Sequence, residues 1–421
     1  MENTESLIEL KQSSVQYFSA SAAGVTRTLT RRDGTVVGNT MPGSAVEPIG
    51  DALAHRYDDL RLRAATPLLG RGAELTVADL FSGAGGLSVG VSEAATAVGR
   101  RVNHVLAVDA ERVALDTYQE NFAPQQAHCG PIEQLLDGDI GDKPTPIEKR
   151  LAERLDGLDL VVGGPPCQGH SDLNNHTRRS DPRNALYLRM ARFAQVVRPL
   201  NVIIENVPGV AHDKDGAVRL TTQVLRAMGY SVSSGLVSAA RVGGAQARKR
   251  HFLVATRVPG NTVDVSQIET DFSVAPRNAL DVIRDLDVEP ERGIFGTTAQ
   301  HSATNQTRIN YLFDEDVYEL PDVLRPDCHR LKKHSYKAVY GRMYPNKPAP
   351  TITAGFGSTG QGRFVHPLHP RTLTPHEAAR LQGFPDWFTF SSTKRRGELQ
   401  QMIGNAVPAQ LGYAVAASVL R

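Results

Sequence analysis

The sequence predicts an α/β protein built on a doubly wound, mostly parallel sheet, and three observations point there. Short apolar runs of strand length recur between Leu75 and Arg257. Segments with helical spacing separate them, the alternation expected of βαβ units. Several of the runs end directly in glycine, aspartate or glutamate, which places polar groups where open sheets of this kind bind ligands, at the strands' carboxyl ends.

Taken in order, residues 1–74 mix Ser, Thr, Arg and Gly with little sustained periodicity. They read as an N-terminal extension, with one helix expected near Asp51 to Arg63. LTVADLF is the first strand, closed by a Gly-rich turn, and LSVGVSEAATAVG is the helix that follows. VNHVLAVDA and ERVALDTYQENF repeat the pattern. LDLVVGG, NVIIENV and the edge-like HFLVAT supply further strands; NALYLRMARFAQVVR and RLTTQVLRAMG supply helices. The main domain is therefore expected over 75–258. Residues 259–363 are rich in Pro, Asn, Asp, Arg and Tyr, lack clear elements, and read as a smaller inserted domain. Residues 364–421 return to order. LTPHEAARLQGF carries a capping Thr374, Pro375 at the first helical position and Glu377 three residues after the cap. GNAVPAQLGYAVAASVL is a turn and an apolar helix that packs back on the main domain.

Composition narrows the function classes. No stretch approaches the roughly 18 uninterrupted apolar residues of a membrane helix, and the polar, acidic N-terminus is unlike a secretory signal. Three cysteines, Cys129, Cys167 and Cys328, provide neither a disulfide framework nor a zinc cluster, and no metal site is expected. A net charge of +2 neither requires nor excludes nucleic acid, so local charge decides. One basic run follows the loop after Gly163 and includes His176, Arg178, Arg179, Arg183, Arg189 and Arg192. A second, from Arg325 to Lys347, interleaves Arg330, Lys332, Lys333, Lys337 and Arg342 with Tyr336, Tyr340 and Tyr344. Either run serves as a nucleic-acid contact or simply as a solvated face.

Four segments carry chemistry. In Asp79-Leu80-Phe81-Ser82-Gly83-Ala84-Gly85-Gly86-Leu87 a strand ends in a glycine-dense turn that opens a helix. It lacks the spacing of a dinucleotide fingerprint and the lysine of a P-loop. With Asp109 at the end of the next strand it suits a nucleoside with a ribose diol, although a bare packing turn has the same glycines. In Gly163-Gly164-Pro165-Pro166-Cys167-Gln168-Gly169-His170-Ser171 a cysteine leaves a strand end into a rigid loop. Two prolines and two glycines make a poor core segment, which favours a reactive thiol over an inert one. Glu205-Asn206-Val207 ends an apolar strand. Its carboxyl group is either a general acid with a raised pKa or a structural cap. In Gln246-Ala247-Arg248-Lys249-Arg250, alternation puts Gln246, Arg248 and Arg250 on one face. There the arginines hold a base carbonyl and a phosphate, or guard a strand edge.

In this order and spacing the four segments resemble the motifs of the DNA cytosine-5 methyltransferase family, bacterial type. Arg371-x-Leu373-Thr374-Pro375-x-Glu377-x-Ala379-Arg380-Leu381-Gln382-Gly383-Phe384-Pro385 and Gly404-Asn405-Ala406-Val407-Pro408 complete the likeness, which covers roughly 75–257 and 348–421. The resemblance implies the S-adenosylmethionine-dependent methyltransferase fold and makes 259–363 the target-recognition domain. It implies Cys167 as the nucleophile on C6 of a flipped cytosine, Pro166 as shaping its turn, and Glu205 as the partner of N3 and the exocyclic amine. Arg248 and Arg250 would then orient the base. For S-adenosylmethionine it implies Phe81, Ser82, Gly83, Gly85 and Leu87 about the methionine and adenosine. Asp109 faces the ribose where the family more often has Glu, Asp139 and Ile140 meet the adenine, and Leu186 and Asn405 close the pocket. Gln168, Ser171 and Gln246 are implied DNA contacts. His170 stands where Phe is commoner, either filling the same volume or making loop closure pH-sensitive.

Duplex DNA is thus the expected partner of a monomeric, cytoplasmic, nucleoid-associated bacterial enzyme, with a cognate restriction endonuclease acting separately. A tRNA cytosine methyltransferase on the same scaffold normally carries a Cys-Phe-Thr element; Pro326-Asp327-Cys328-His329 does not match it. A silent DNA-binding subunit would tend to lose the cysteine or the glutamate. A nicotinamide oxidoreductase would need a different glycine spacing.

Overall fold

The computed structural model describes residues 15–43, 51–166, 184–212, 216–287, 293–331 and 338–421. Their main feature is a seven-stranded sheet formed by β4 (Glu74–Leu80), β5 (Arg101–Asp109), β6 (Ala127–Cys129), β7 (Leu160–Gly163), β8 (Asn201–Asn206), β9 (Ser231–Ser238) and β10 (Lys249–Thr256). Its order is β6-β5-β4-β7-β8-β10-β9. The first five strands are parallel, and β10 runs antiparallel between β8 and β9. HFLVAT is thus an interior strand, a correction to its edge-like reading. The order reverses between β4 and β7, where open α/β sheets leave a ligand crevice.

Alternation along the strands fills both faces. Leu75, Val77, Val162, Ile203 and Phe252 pack under helices α2 (Gly86–Ala97) and α13 (Ala409–Leu420). Leu80, Val108, Val161, Ile204 and Leu253 pack on the opposite side, where Leu151 of α4 (Pro146–Arg154), Phe193 of α5 (Asn184–Val197) and Leu225 of α6 (Ala217–Ala227) join them. These strands read as continuous apolar runs because both faces are covered. Helix α3 (Arg112–Phe122) buries Leu115 and Tyr118 beside Ala107 of β5. Gly90 and Gly412 allow α2 and α13 to touch. A Cβ at Gly90 would lie 2.4 Å from the Ala409 carbonyl oxygen.

The N-terminal extension is more ordered than its composition suggests. β1 (Gln16–Ser21), β2 (Gly24–Thr30) and β3 (Val36–Pro42) form an antiparallel sheet, and α1 (Asp51–Leu62) matches the expected helix. Arg27 seats this unit on the main domain, its guanidinium carbon 4.7 Å from the Tyr57 ring centre and 3.9 Å from that of Tyr413 on α13.

The insertion contains α7 (Ile268–Asp271), α8 (Ala279–Ile283), α9 (Ala303–Asp314) and α10 (Asp327–Arg330) among its described residues. Packing does not change at residue 259. Val263, Ile268 and Phe272 belong to the α2/α13 core, and α8 packs with α11 (Pro375–Leu381). A separate apolar cluster begins further on, with Ile309, Leu312, Leu320, Val339 and Tyr340. The capping box of α11 forms as expected: Thr374 Oγ1 accepts from the Glu377 amide, and Glu377 Oε2 accepts from that of Thr374. The stretch from α12 (Arg396–Asn405) into α13 is apolar enough to suggest a membrane span, but it breaks at Ala406–Pro408 and is mostly buried.

Candidate active site

The described motif residues gather at one edge of the sheet, at the carboxyl ends of β4, β5, β7 and β8 and the start of antiparallel β10. β4 delivers the glycine turn. Phe81 (φ 61°), Gly83 (φ 53°) and Gly85 (φ 96°) all adopt left-handed backbone. For Phe81 that conformation costs about 1–3 kcal/mol, strain of the kind found at ligand-binding turns. The turn is pinned by the Ser82 amide on the Val108 carbonyl (3.0 Å) and the Gly83 amide on Asp109 Oδ2 (2.7 Å). Space beside Gly83 is open, whereas a Cβ on Gly85 would lie 2.3 Å from the Phe122 ring.

Gly85→Ala therefore combines left-handed strain of about 1–2 kcal/mol with overpacking of about 1–3 kcal/mol. A lower urea midpoint than that of the unaltered protein is expected; an unchanged midpoint would contradict the tight turn.

Asp109 ends β5, and its Oδ1 accepts from the Glu111 amide at 2.8 Å. Burial raises its pKa despite these amides. Each oxygen keeps a lone pair, so the carboxylate can still accept from a diol. Asp79 lies deeper and accepts from Ser88 Oγ at 2.6 Å; the Tyr118 hydroxyl continues the chain to His104 Nδ1. Burial pushes Asp79 up to about 7. A raised folded pKa means that its contribution to stability is present below the ordinary value of 3.8 and is lost as pH climbs through about 7. Asn cannot ionise, so the stability of Asp79→Asn relative to the unaltered protein should improve from pH 4 to pH 7.5. Parallel urea-midpoint curves over that range would refute the assignment.

Asp139 is exposed and Ile140 half-buried in the loop after β6. Arg189 Nη1 holds the neighbouring Gly138 carbonyl at 2.8 Å. Leu186 is half-buried on α5, Leu87 is buried at the start of α2, and Asn405 is exposed at the end of α12. Gly86 meets the Ala406–Val407 bend closely; a Cβ there would sit 2.6 Å from the Val407 carbonyl oxygen. An open glycine turn, a strand-end carboxylate with spare lone pairs and the Asn405 bend together fit an adenosine-bearing cofactor.

Glu205 ends β8, buried, with Oε1 2.7 Å from Arg250 Nε. Burial raises its pKa, and Arg250 and Arg248 act against that. Oε2 faces Gly164, where an added Cβ would lie 3.1 Å away. Asn206 Nδ2 donates to the Pro165 carbonyl at 3.1 Å and so fixes the loop leading to exposed Pro166. Asn206 had entered only as part of a motif; its position beside Glu205, on the parallel neighbour of the strand that leads to Pro165, was the available signal. Cys167, Gln168, His170 and Ser171 lie outside the described residues, as do His176, Arg178, Arg179 and Arg183.

Gln246 and Arg248 precede β10 instead of sharing a strand face with Arg250. Gln246 is fully buried. Its Nε2 donates to the Leu381 carbonyl and Gln382 Oε1, and its Oε1 accepts from the Ile352 amide. The expected DNA contact is corrected accordingly, since no atom of Gln246 is left facing solvent. Arg248 is buried too, with Nη1 donating to the Ile352 (2.6 Å) and Gly404 (3.1 Å) carbonyls. Burial, with Arg250 nearby, pushes its pKa well down. In this arrangement it ties the returning chain to the Asn405 bend.

The basic runs are also partly committed. Arg192 is buried against Glu148, and Arg342 and, from beyond the run, Arg363 pair with Asp316 and Glu319 respectively beside the stacked Tyr318 and Tyr344 rings. Arg330 and Lys347 remain exposed; Lys332, Lys333 and Lys337 lie outside the described residues. Asp287, His366 and His369 bring ligand-type atoms within 4.8 Å of one another. However, His366 Nδ1 accepts from the Leu368 and His369 amides, which leaves the proton on Nε2, and Arg371 already pairs with Asp287. This is a hydrogen-bonded cluster.

Comparison with known proteins bears on the family of the chain. The C-5 cytosine-specific DNA methylase family model matches residues 75–421. The chain is 43% identical over 423 residues to the Type II methyltransferase M1.BsuMI of Bacillus subtilis, covering 100% of this chain and 98% of the relative. It is 30% identical to the Type II methyltransferase M1.HphI of Haemophilus parahaemolyticus, over 82% of this chain and 87% of that one. A putative DNA modification methyltransferase from an E. coli prophage has a similar solved structure, with TM-score 0.54, 25% identity, and coverage of 82% of this chain and 98% of that one. The family match begins after the N-terminal sheet and α1, which the Bacillus relative's alignment includes.

Proposed function

Because the chain belongs to the C-5 cytosine-specific DNA methylase family, we propose that it moves a methyl group from S-adenosylmethionine to C5 of a flipped cytosine in a specific duplex sequence. The observation that carries this reading is the buried Glu205–Arg250 pair facing the Gly164–Pro165 loop, directly ahead of Cys167. S-adenosylmethionine, when bound, supplies an electrophilic methyl group. Phe81–Gly85, Leu87 and Asp109 would hold it, with Asp139, Ile140, Leu186 and Asn405 closing around it.

Flipping costs a few kcal/mol of stacking and pairing, which contacts in the pocket must offset. The Cys167 thiolate adds to C6. Glu205, protonated, donates to N3 while its other oxygen accepts from the exocyclic amine, so charge entering the ring is stabilised as C5 becomes nucleophilic. Arg250 holds Glu205 in place and lies near the base carbonyl. After C5 gains the methyl group, loss of its proton and expulsion of the Cys167 thiolate restore the aromatic ring. Residues of the insertion read base edges and phosphates, with Arg284, Arg330 and Lys347 the exposed arginines and lysines among those described. We read the protein as a cytoplasmic monomer that protects DNA from a separately acting restriction endonuclease; the Type II names of its relatives bear on the protective role alone.

Expression in a host lacking cytosine methylation, with genome-wide mapping of 5-methylcytosine, tests this directly. One methylated duplex motif is expected. Unmodified DNA alongside methylated tRNA would transfer the reading to an RNA substrate.

A further inference from the structure

We infer that Arg61 is a positioning residue for the cofactor pocket: the N-terminal unit sets, through Arg61, how the glycine turn stands against the Asn405 bend. The inference rests on the reading of Phe81–Gly86 and Asn405 as two sides of that pocket. Arg61, on α1, lies outside the 75–421 span of the family match. Its side chain is only 7% exposed, and it reaches three segments at once. Nε donates to Asp58 Oδ1 at 2.7 Å on its own helix. Nη1 donates to Glu93 Oε1 at 2.7 Å and to the Gly383 carbonyl at 3.0 Å.

Both distant acceptors lead to the pocket. Glu93 sits on α2, about two turns from Gly86, where that helix leaves the glycine turn. Gly383 follows Gln382, whose Nε2 donates to the Ile403 carbonyl at 2.6 Å and whose Oε1 accepts from Gln246 at 2.7 Å. Ile403 and the Ala406–Val407 bend flank Asn405, and Gly86 already lies against that bend with no room for a Cβ. One guanidinium thus joins the helix carrying one wall to the turn that anchors the other. Its planar fork suits this task, because the acceptors stand in fixed directions. Asp58, shared with Arg277, keeps Arg61 oriented. Without Arg61, half-buried Glu93 would lose its principal partner, and α2 would have to shift or Glu93 take up a proton.

Calorimetric titration with S-adenosylmethionine, at a temperature where each variant is folded by circular dichroism, tests this. Arg61→Met should weaken binding about tenfold, within the usual range for coupled sites. KM for DNA and kcat at saturating cofactor should stay within about twofold. Arg61→Lys should recover only part of the affinity. Adding Glu93→Gln to Arg61→Met should restore some of it by removing the stranded charge. Arg63→Met, one residue past the end of the same helix and paired with Asp59 and Asp285, should bind as the unaltered protein does. Should Arg61→Met not fold, Glu93→Gln alone reads the same link. Unchanged affinity in folded Arg61→Met, or equal weakening in Arg63→Met, would overturn the inference. Failure of the unaltered protein to bind would instead overturn the cofactor reading beneath it.

Discussion

Cys167→Ser is expected to lose methyl transfer by at least about 10⁴-fold, the scale on which removing a covalent nucleophile acts. A serine hydroxyl keeps the size of the side chain but is scarcely ionised near neutral pH, so C6 is not attacked and C5 never becomes nucleophilic. The loss should fall on the chemical step. Binding of S-adenosylmethionine should stay within about threefold of the unaltered protein, because the turn at Phe81–Gly85 leaves a different strand. Single-turnover incorporation of labelled methyl groups into the mapped duplex measures both the loss and its locus. Cys129 is the informative control: it ends parallel strand β6 at this edge, and it is exposed. Cys129→Ser should retain full activity. Substantial transfer by Cys167→Ser together with loss in Cys129→Ser would move the nucleophile to the other thiol.

Glu205→Gln ranks second, with an expected fall in kcat of about 10²–10³-fold. Gln preserves the volume at the end of β8 and can accept from Arg250, but it cannot pass a proton to N3. The pH profile sharpens the point. Burial raises the Glu205 pKa, so the protonated form persists to higher pH than for an ordinary carboxyl group, while Arg250 and Arg248 limit the rise. Activity that depends on protonated Glu205 should decline on the alkaline side, and that decline should be missing from the residual activity of Glu205→Gln. Replacing Arg250 with Met removes a cation that favours the carboxylate. The alkaline limb should then move to higher pH, together with a lower rate. A limb that stayed in place would separate Glu205 from the titration.

The sequence made the strand ends legible for physical reasons. Strands buried on both faces must be apolar throughout, and a ligand turn needs glycine, so Phe81–Gly85, Asp109 and Glu205 announced their positions. Other features depended on partners far along the chain. The N-terminal sheet is rich in threonine and polar outside its buried face, and its seat is Tyr413 on the last helix. One local signal was nevertheless present: Asp33-Gly34, with Gly34 at φ 81°, forms the turn joining β2 to β3. Gln246 and Arg248 illustrate the opposite limit. Strand alternation put them beside Arg250, but the backbone around Gln246 pairs with Ala349, and their side chains serve Ile352, Leu381 and Gly404. Charge runs were ambiguous for a similar reason. Composition does not distinguish exposed Lys347 from Arg342, which folds under its own domain to meet Asp316 and the Pro367 carbonyl.

The central claim is a covalent bond between Cys167 and C6 of cytosine, and trapping that bond tests it most directly. A duplex carrying 5-fluorocytosine at the mapped target has no C5 proton to lose after methyl transfer, so the thiolate cannot be expelled and the adduct should persist. Intact-mass measurement after denaturation should show protein plus methylated DNA strand, with the modified peptide containing Cys167, and no such species from Cys167→Ser. An adduct on another residue, or methylation of the ordinary duplex with no trapped species from the fluorinated one, would contradict the account.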